Sequence, residues 1–293
     1  MEAKERARAA LSTPGAAGAL RRLTGWQRLP WSIRHRLFIG VARQLRPPSS
    51  IVFEQRIPTG GTIRLHVGGV TRELYWVGEY EPESLPLFTE YARNARCVLD
   101  IGASEGIYSL YAAAAGARKV LAFEPGSEQR RLMDQNLALN PALAASVEVL
   151  DVALDDHTGT AEFFVSGGTS SLNPDFRRPT ATLTVEVDRG DDRVARHAGG
   201  LPVDLVKVDT ESTEPAVLRG LQETIRRDRP AIFCEVLAGR TEEPLQELIG
   251  DLGYEPWHLT LRGQERRPRL HGDNSEPNWL LLPRGATPPV GHR

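Results

Sequence analysis

Two cysteines, Cys97 and Cys234, are all that the 293 residues provide. They stand far apart, each inside an apolar run, so a disulfide scaffold and a CxxC metal site are both excluded. They read as reduced core thiols of a cytoplasmic protein. No apolar run approaches the ~18 residues of a membrane span. The first residues lack the apolar core of a signal peptide. Internal repeats are absent. A dominant charge is also missing, since the formal net charge is only −2. That balance hides an asymmetry: residues 1–50 carry ten Lys/Arg against two Glu, and the remainder is acidic. A phosphate backbone needs a basic face, so nucleic acid is not an expected partner.

What is present is ordinary globular composition, 40% hydrophobic and 25% charged. The length suits one large α/β domain with an appendage. Its centre is Cys97-Val-Leu-Asp-Ile-Gly-Ala-Ser-Glu-Gly-Ile-Tyr-Ser-Leu110. An apolar strand ends at Asp100, a glycine turn follows from Gly102 to Gly106, and helix formers run to Gly116. In an open parallel sheet, ligands sit beside such a loop at the carboxyl ends of the strands. Gly102 lets the backbone approach a ligand.

The loop is again informative for what it lacks. A dinucleotide fingerprint needs glycine at 104, where Ser104 stands, and a P-loop needs Gly-Lys-Ser/Thr at its end. Glu105 would repel a pyrophosphate. A nicotinamide dehydrogenase is disfavoured for these reasons. A nucleoside without phosphates fits better, and S-adenosylmethionine (SAM) is the obvious one.

Ahead of this centre, Leu29 to Leu45 has helical spacing, with Ile33, Leu37, Phe38, Val41 and Leu45 apolar and Arg34, Arg36 and Arg43 between them. It reads as a helix packed on the main domain or on a second copy; a membrane-surface helix and a lid over an acidic substrate are the alternatives. Residues 1–20 read as a frayed helix or disorder. Ile51 to Val70 alternates as a hairpin around Thr59-Gly60-Gly61. Tyr75 to Pro82 reads as a segment crossing the mouth of the site, before a helix over 83–93.

From residue 97 the alternation of strand and helix predicts a parallel sheet. The second strand ends in Glu124-Pro125. Glu124 lies 22 residues after Gly102, near the spacing of an acid that takes ribose hydroxyls. A third strand covers 146–150, and strands follow at 161–165 and 182–187. A polar stretch leads to Leu201. Val203 to Asp209 is a buried-strand pattern whose period of two puts Leu205, Lys207 and Asp209 on one face. A lysine there is costly unless paired, by Asp209 or Glu235. A helix over 214–228 and a strand over 231–236 come next. Then come a helix over 244–252, a strand from Tyr254, a solvated hairpin tip over 262–269 and a closing strand over 278–282.

Asp209, Glu211 and Glu235 thus converge with Lys207 beside the nucleoside end. For in-line methyl transfer to an alcohol, Asp209 and Glu211 are candidates for general base, with Lys207 and Glu235 tuning them. A second reading places a divalent ion on Asp209, Glu211 and Glu235, where all-oxygen ligation suits magnesium.

Val98-Leu-Asp-Ile-Gly-Ala-Ser-Glu-Gly106 with Ala122-Phe-Glu-Pro125 resembles the nucleoside end of a class I SAM-dependent methyltransferase. Asp204-Leu-Val-Lys-Val-Asp209 and Glu214-Pro-Ala-Val-Leu-Arg-Gly220 narrow the resemblance to the FkbM-type family, over roughly residues 75–283. The resemblance implies a Rossmann-like α/β fold, a mostly parallel sheet flanked by helices, behind an N-terminal helical and hairpin extension. It implies SAM contacts at Glu81, Asp100, Gly102, Ala103, Ser104, Glu124, Pro125, Asp151, Val152 and Asp209, with Asp151 reading the adenine amino group. A Ser-rich loop near the active site corresponds to 167–172. It further implies O-methylation of a hydroxylated small molecule, a polyketide or sugar-bearing natural product. No Asn-Pro-Pro-Tyr motif of base methylation is present. The expected organisation is a basic extension (1–50), a hairpin and lead-in segment (51–96), the methyltransferase domain (97–283) and a disordered tail (284–293).

The family usually reads Lys-Ile-Asp-Val-Glu-Gly-Ala-Glu where this chain has Lys207-Val-Asp-Thr-Glu-Ser-Thr-Glu214. Ser212 and Thr213 in place of Gly-Ala imply a changed pocket or lost activity. The alternative function is therefore a silent SAM-binding partner of a biosynthetic assembly. In that role residues 1–50 form the docking segment, and a homo-oligomer through the N-terminal helix is a related expectation.

Overall fold

The computed structural model describes residues 29–40, 51–166 and 169–289. Residues 1–20, Val41, Arg43 and Leu45, and Gly167-Gly168 of the Ser-rich loop, lie outside the described residues.

The hairpin forms as its alternation predicts: β1 (Val52–Arg56) pairs antiparallel with β2 (Thr62–His66), Phe53 opposite Leu65. The central strands β3 (Val98–Ile101), β4 (Val120–Phe123) and β5 (Val147–Leu150) follow. A small sheet comes next, from β6 (Ala153–Asp155), β7 (Gly159–Ser166), β8 (Thr169–Ser171) and β9 (Ala181–Arg189). The chain then returns through β10 (Leu205–Val208), β11 (Ala231–Glu235), β12 (Tyr254–Thr260), β13 (Gly263–Arg266) and β14 (Asn278–Pro283).

The main sheet has the order β13-β12-β14-β11-β10-β3-β4-β5. Its centre from β11 to β5 is wholly parallel, and β14 enters antiparallel between β11 and β12. The order reverses between β3 and β10, which places a crevice at their carboxyl ends. Every residue of β3, β4 and β10 is buried, as strands covered on both faces must be. Alternate residues feed two cores. Val98 and Leu205 join the layer built on the hairpin and the helices Leu85–Ala92 and Ile107–Ala115. Leu99, Ile101, Val206 and Val208 join the layer with Val217, Ile225 and Leu248. The small sheet, order β6-β9-β7-β8, has a minor core of Ala153, Phe163 and Val185. Cys97 and Cys234 are free and buried. Among the described residues, no helix is long and apolar enough to cross a membrane.

Several expectations are corrected. The segment Tyr75 to Pro82 reaches the cleft only through Tyr80, while Tyr75 and Trp76 sit in a helix, Thr71–Val77, and are buried in the core. The helix Trp31–Gly40 is turned over relative to its apolar pattern. Arg34 and Phe38 are buried, while Ile33 and Leu37 are exposed. The reason is polar: Arg34 donates to Val77 O at 2.7 Å and to Glu79 at 2.7 Å, and His35 pairs with Glu73 at 2.7 Å. The polar stretch after β9 is a helix, Gly190–His197. Val194 is its one buried large apolar side chain, so apolar periodicity could not show it. Asp191 and Asp192 at its start and Arg196 and His197 at its end match the helix dipole. The helix over 214–228 is two helices, Glu214–Gly220 and Gln222–Asp228. Gly220 lies so close to Asp155 that a Cβ there would be 1.9 Å from its carbonyl oxygen. Residues 284–286 are tied down where a disordered tail is expected: the Arg284 amide donates to Gly253 O at 2.9 Å and Ala286 packs on the core.

Candidate active site

An open cleft lies at the carboxyl ends of β3, β4 and β10. Ile101, Gly102, Ser104, Glu124, Pro125, Val152, Asp209 and Glu211 line it, and a smaller pocket behind it is lined by Asp100, Ala103, Lys207 and Asp209. Most of the sequence-predicted residues therefore meet in one place. Three do not line it. Glu81 is turned into a network below, Asp151 is exposed and paired to Arg130 at 2.6 Å, and Glu235 stands one strand away. Beside Asp151, it is Val152, Ala153 and Leu154 that line the cleft.

Glu124 is shaped by the turn it faces. Its two oxygens accept from the Ser104 amide at 2.8 Å and the Gly126 amide at 2.7 Å, and it is 5% exposed. Each carboxylate oxygen keeps a second lone pair, enough to accept from vicinal hydroxyls. Burial pushes its carboxyl up to about 7. Asp100 is pushed up to about 6 by burial and accepts from Ser109 Oγ at 2.6 Å. Glu105 is occupied elsewhere: its carboxylate accepts from the Val70 and Thr71 amides at 3.2 and 3.3 Å, at the start of the helix Thr71–Val77.

The lysine expected to be paired is. Lys207 is 1% exposed and opposite Asp100 in the parallel register. Its Nζ donates to Asp209 Oδ2 at 3.1 Å and to Asn278 Oδ1 at 3.4 Å, and stands 5.1 Å over the Tyr108 ring. Burial pulls against its charge, but Asp209, Glu81 and Glu235 more than reverse that and raise its pKa. Asn278 also donates to Glu81 at 3.0 Å and Glu83 at 3.1 Å, joining the β14 strand to the site. Burial raises Glu83 to about 7. Burial, then Asp209, pushes Glu211 to about 8, and the same two causes raise Glu235 well above the carboxylate range.

The metal reading does not fit. Among the described residues, the group of His, Cys, Asp or Glu side chains whose ligand atoms come within 4.8 Å of one another is Asp155, Asp156 and His157, on the surface. Asp209, Glu211 and Glu235 are not so drawn together.

The sequence reading missed Gln129 and Phe163 on the cleft wall, and Asn278 behind it, while Ser170 and Leu172 of the expected Ser-rich loop do line the cleft. Phe163 comes from the small sheet, and no local pattern reveals which way that sheet folds. Asn278 opening an apolar strand was the one available signal.

The raised carboxyls have a consequence for stability. Unfolded carboxyls titrate near about 4. Between roughly pH 4 and 8 the folded chain thus holds more protons than the unfolded chain on Asp100, Glu124 and Glu211, and stability falls as pH rises. Urea midpoints of the ligand-free protein should decline steadily from about pH 5.5 to about 8.5. A flat profile would mean that these acids are hydrated.

With this geometry in view, the methyltransferase FkbM domain profile matches residues 100–256, more than half of the sequence. The chain belongs to this family. An FkbM-domain match beginning at Asp100 and ending in β12 spans the cleft-bearing strands β4 and β10. A curated relative, methyltransferase sdnD of Sordaria araneosa, is 31% identical over 157 residues, covering 43% of this chain and 60% of that protein. The chain thus spans less than two thirds of that relative. Among solved structures, the methyltransferase FkbM of Methylobacillus flagellatus KT matches with a TM-score of 0.43 and 15% identity, covering 72% of this chain and 52% of that one. The O-methyltransferase TomG of Streptomyces achromogenes, solved with SAM, matches at 0.39 and 14%, covering 70% and 80%. The FkbM family accounts for the Rossmann-like α/β sheet and for its crevice. It also gives the strain at Ser212 a context: φ there is +89°, a conformation suited to the glycine the family usually carries.

Proposed function

We propose that this chain is a SAM-dependent O-methyltransferase acting on a hydroxyl of a small molecule, plausible acceptors being polyketides or sugar-bearing natural products. The observation that carries the reading is Glu124, held between two loop amides, in one cleft with Asp209 and Glu211. Glu124 accepts the ribose hydroxyls, and Gly102, whose missing side chain leaves room for the Asp209 carbonyl, lines the cleft beside it. SAM supplies an activated methyl on a sulfonium. The chain aligns an acceptor oxygen with that methyl, and alignment alone can provide ~7–11 kcal/mol. With SAM bound and its methyl passing to the acceptor oxygen, the Asp209 carboxylate would take the hydroxyl proton. Lys207 fixes Asp209 in place, Glu211 is the second acid at the acceptor, and Glu235 acts through Lys207. No step needs a metal.

The test is a panel of hydroxylated metabolites with methyl-labelled SAM, with and without a chelator. We expect label transfer to at least one hydroxyl, unaffected by the chelator. Tight SAM binding with no transfer to any acceptor would replace this reading with that of a silent SAM-binding partner.

A further inference from the structure

Glu211 and Ser212 form a turn in which both residues are left-handed, with φ of +58° and +89°, and neither is glycine. Such pairs persist only when their surroundings hold them. One hold comes from behind. Glu214 Oε1 accepts from the Thr210 and Ser212 amides, each at 3.1 Å, and from Thr210 Oγ1 at 3.2 Å. The Ser212 hydroxyl contributes none: its Oγ is buried without a hydrogen-bond partner. The second hold comes from the small sheet. Ser171, at the end of β8 and 1% exposed, donates to Glu211 O at 2.6 Å. Its oxygen is itself oriented by the Asn173 amide at 2.9 Å. The residues on either side, Ser170 and Leu172, line the cleft together with Thr210 and Glu211.

We propose that Ser171 is a positioning residue for Glu211: its hydroxyl clamps the carbonyl of the strained turn and thereby joins the acceptor-side wall to the acid. The proposal rests on the reading of Glu211 as part of the methyl-transfer site. With the hydroxyl gone, the turn relaxes toward right-handed φ and carries the Glu211 carboxyl away from the acceptor. Glycine at 212 removes much of the strain, so the clamp matters less.

The test is a double-mutant cycle of Ser171→Ala and Ser212→Gly, assayed with the fastest acceptor of the hydroxylated panel and, without any acceptor, by amide hydrogen exchange. Ser171→Ala is expected to lower kcat by about 10–10²-fold, the scale of a small misplacement, while KM for SAM stays within about twofold. Exchange at residues 210–213 should quicken in Ser171→Ala and slow again in the double variant, with kcat recovering in parallel. A Ser171→Ala kcat within about twofold of the parent, or a double variant no faster than Ser171→Ala, overturns the clamp. Glu211→Gln separates the two ideas. If it leaves turnover intact, the reading of Glu211 falls and takes the clamp with it; if it cripples turnover while Ser171→Ala does not, only the clamp falls.

Discussion

Gly102→Ala is expected to destabilise the protein by about 2–5 kcal/mol and to abolish measurable SAM binding. Two effects add. Gly102 has a φ of +78°, and a left-handed alanine costs roughly 1–2 kcal/mol. The new Cβ would also lie 1.8 Å from Asp209 O and 2.9 Å from Asp209 C. These are backbone atoms, and they are fixed: the Asp209 amide donates to Ile101 O at 3.0 Å, and the Gly102 amide to Phe123 O at 3.0 Å. Relief must come from prising β10 away from β3, an overpacking cost of about 1–3 kcal/mol. The displaced strand end carries Asp209 out of the cleft. Gly116→Ala is the control, since φ is +103° there but nothing lies within 4 Å, so only the conformational part is lost. Urea midpoints and calorimetric titration with SAM read both effects. Equal midpoints for the two variants, with SAM affinity retained in Gly102→Ala, would show that the strands part freely.

Asp209→Asn should lower kcat by about 10²–10⁴-fold, the usual scale of a general base. The replacement keeps the shape of the carboxylate and one oxygen for Lys207, which retains Asn278 and the Tyr108 ring. It removes the proton acceptor and the charge. Removing one partner of a buried ion pair can cost ~3–5 kcal/mol, so folding has to be checked by circular dichroism and the assay run well below the melting midpoint. A kcat within about tenfold of the parent, in a folded variant, would move the base to Glu211 or to water.

Several elements were legible because they rest on local chemistry. The apolar runs of β3, β4 and β10, interrupted only by Asp100 and Lys207 and each ending at an acid or beside one, announce buried parallel strands and their ligand-facing ends. The place of Glu124 at the cleft was legible from its strand-end spacing, and the pairing of Lys207 from the cost of burying an ammonium. The helix Gly190–His197 was not, because its capping charges outweigh its single buried valine. The orientation of the helix Trp31–Gly40 was not either, since the deciding partners of Arg34 and His35 lie about forty residues away.

The sequence by itself determined a parallel α/β sheet and the acids at its strand ends, since strand period acts over a few residues. Only the tertiary structure decided which acids share the cleft. Asp151 turned to Arg130, Glu81 to Tyr108 and Asn278, and the small sheet brought Ser171 onto the Glu211 turn. Those outcomes depend on competition among distant hydrogen-bond partners for each buried polar group, and that competition is settled only when the chain closes on itself.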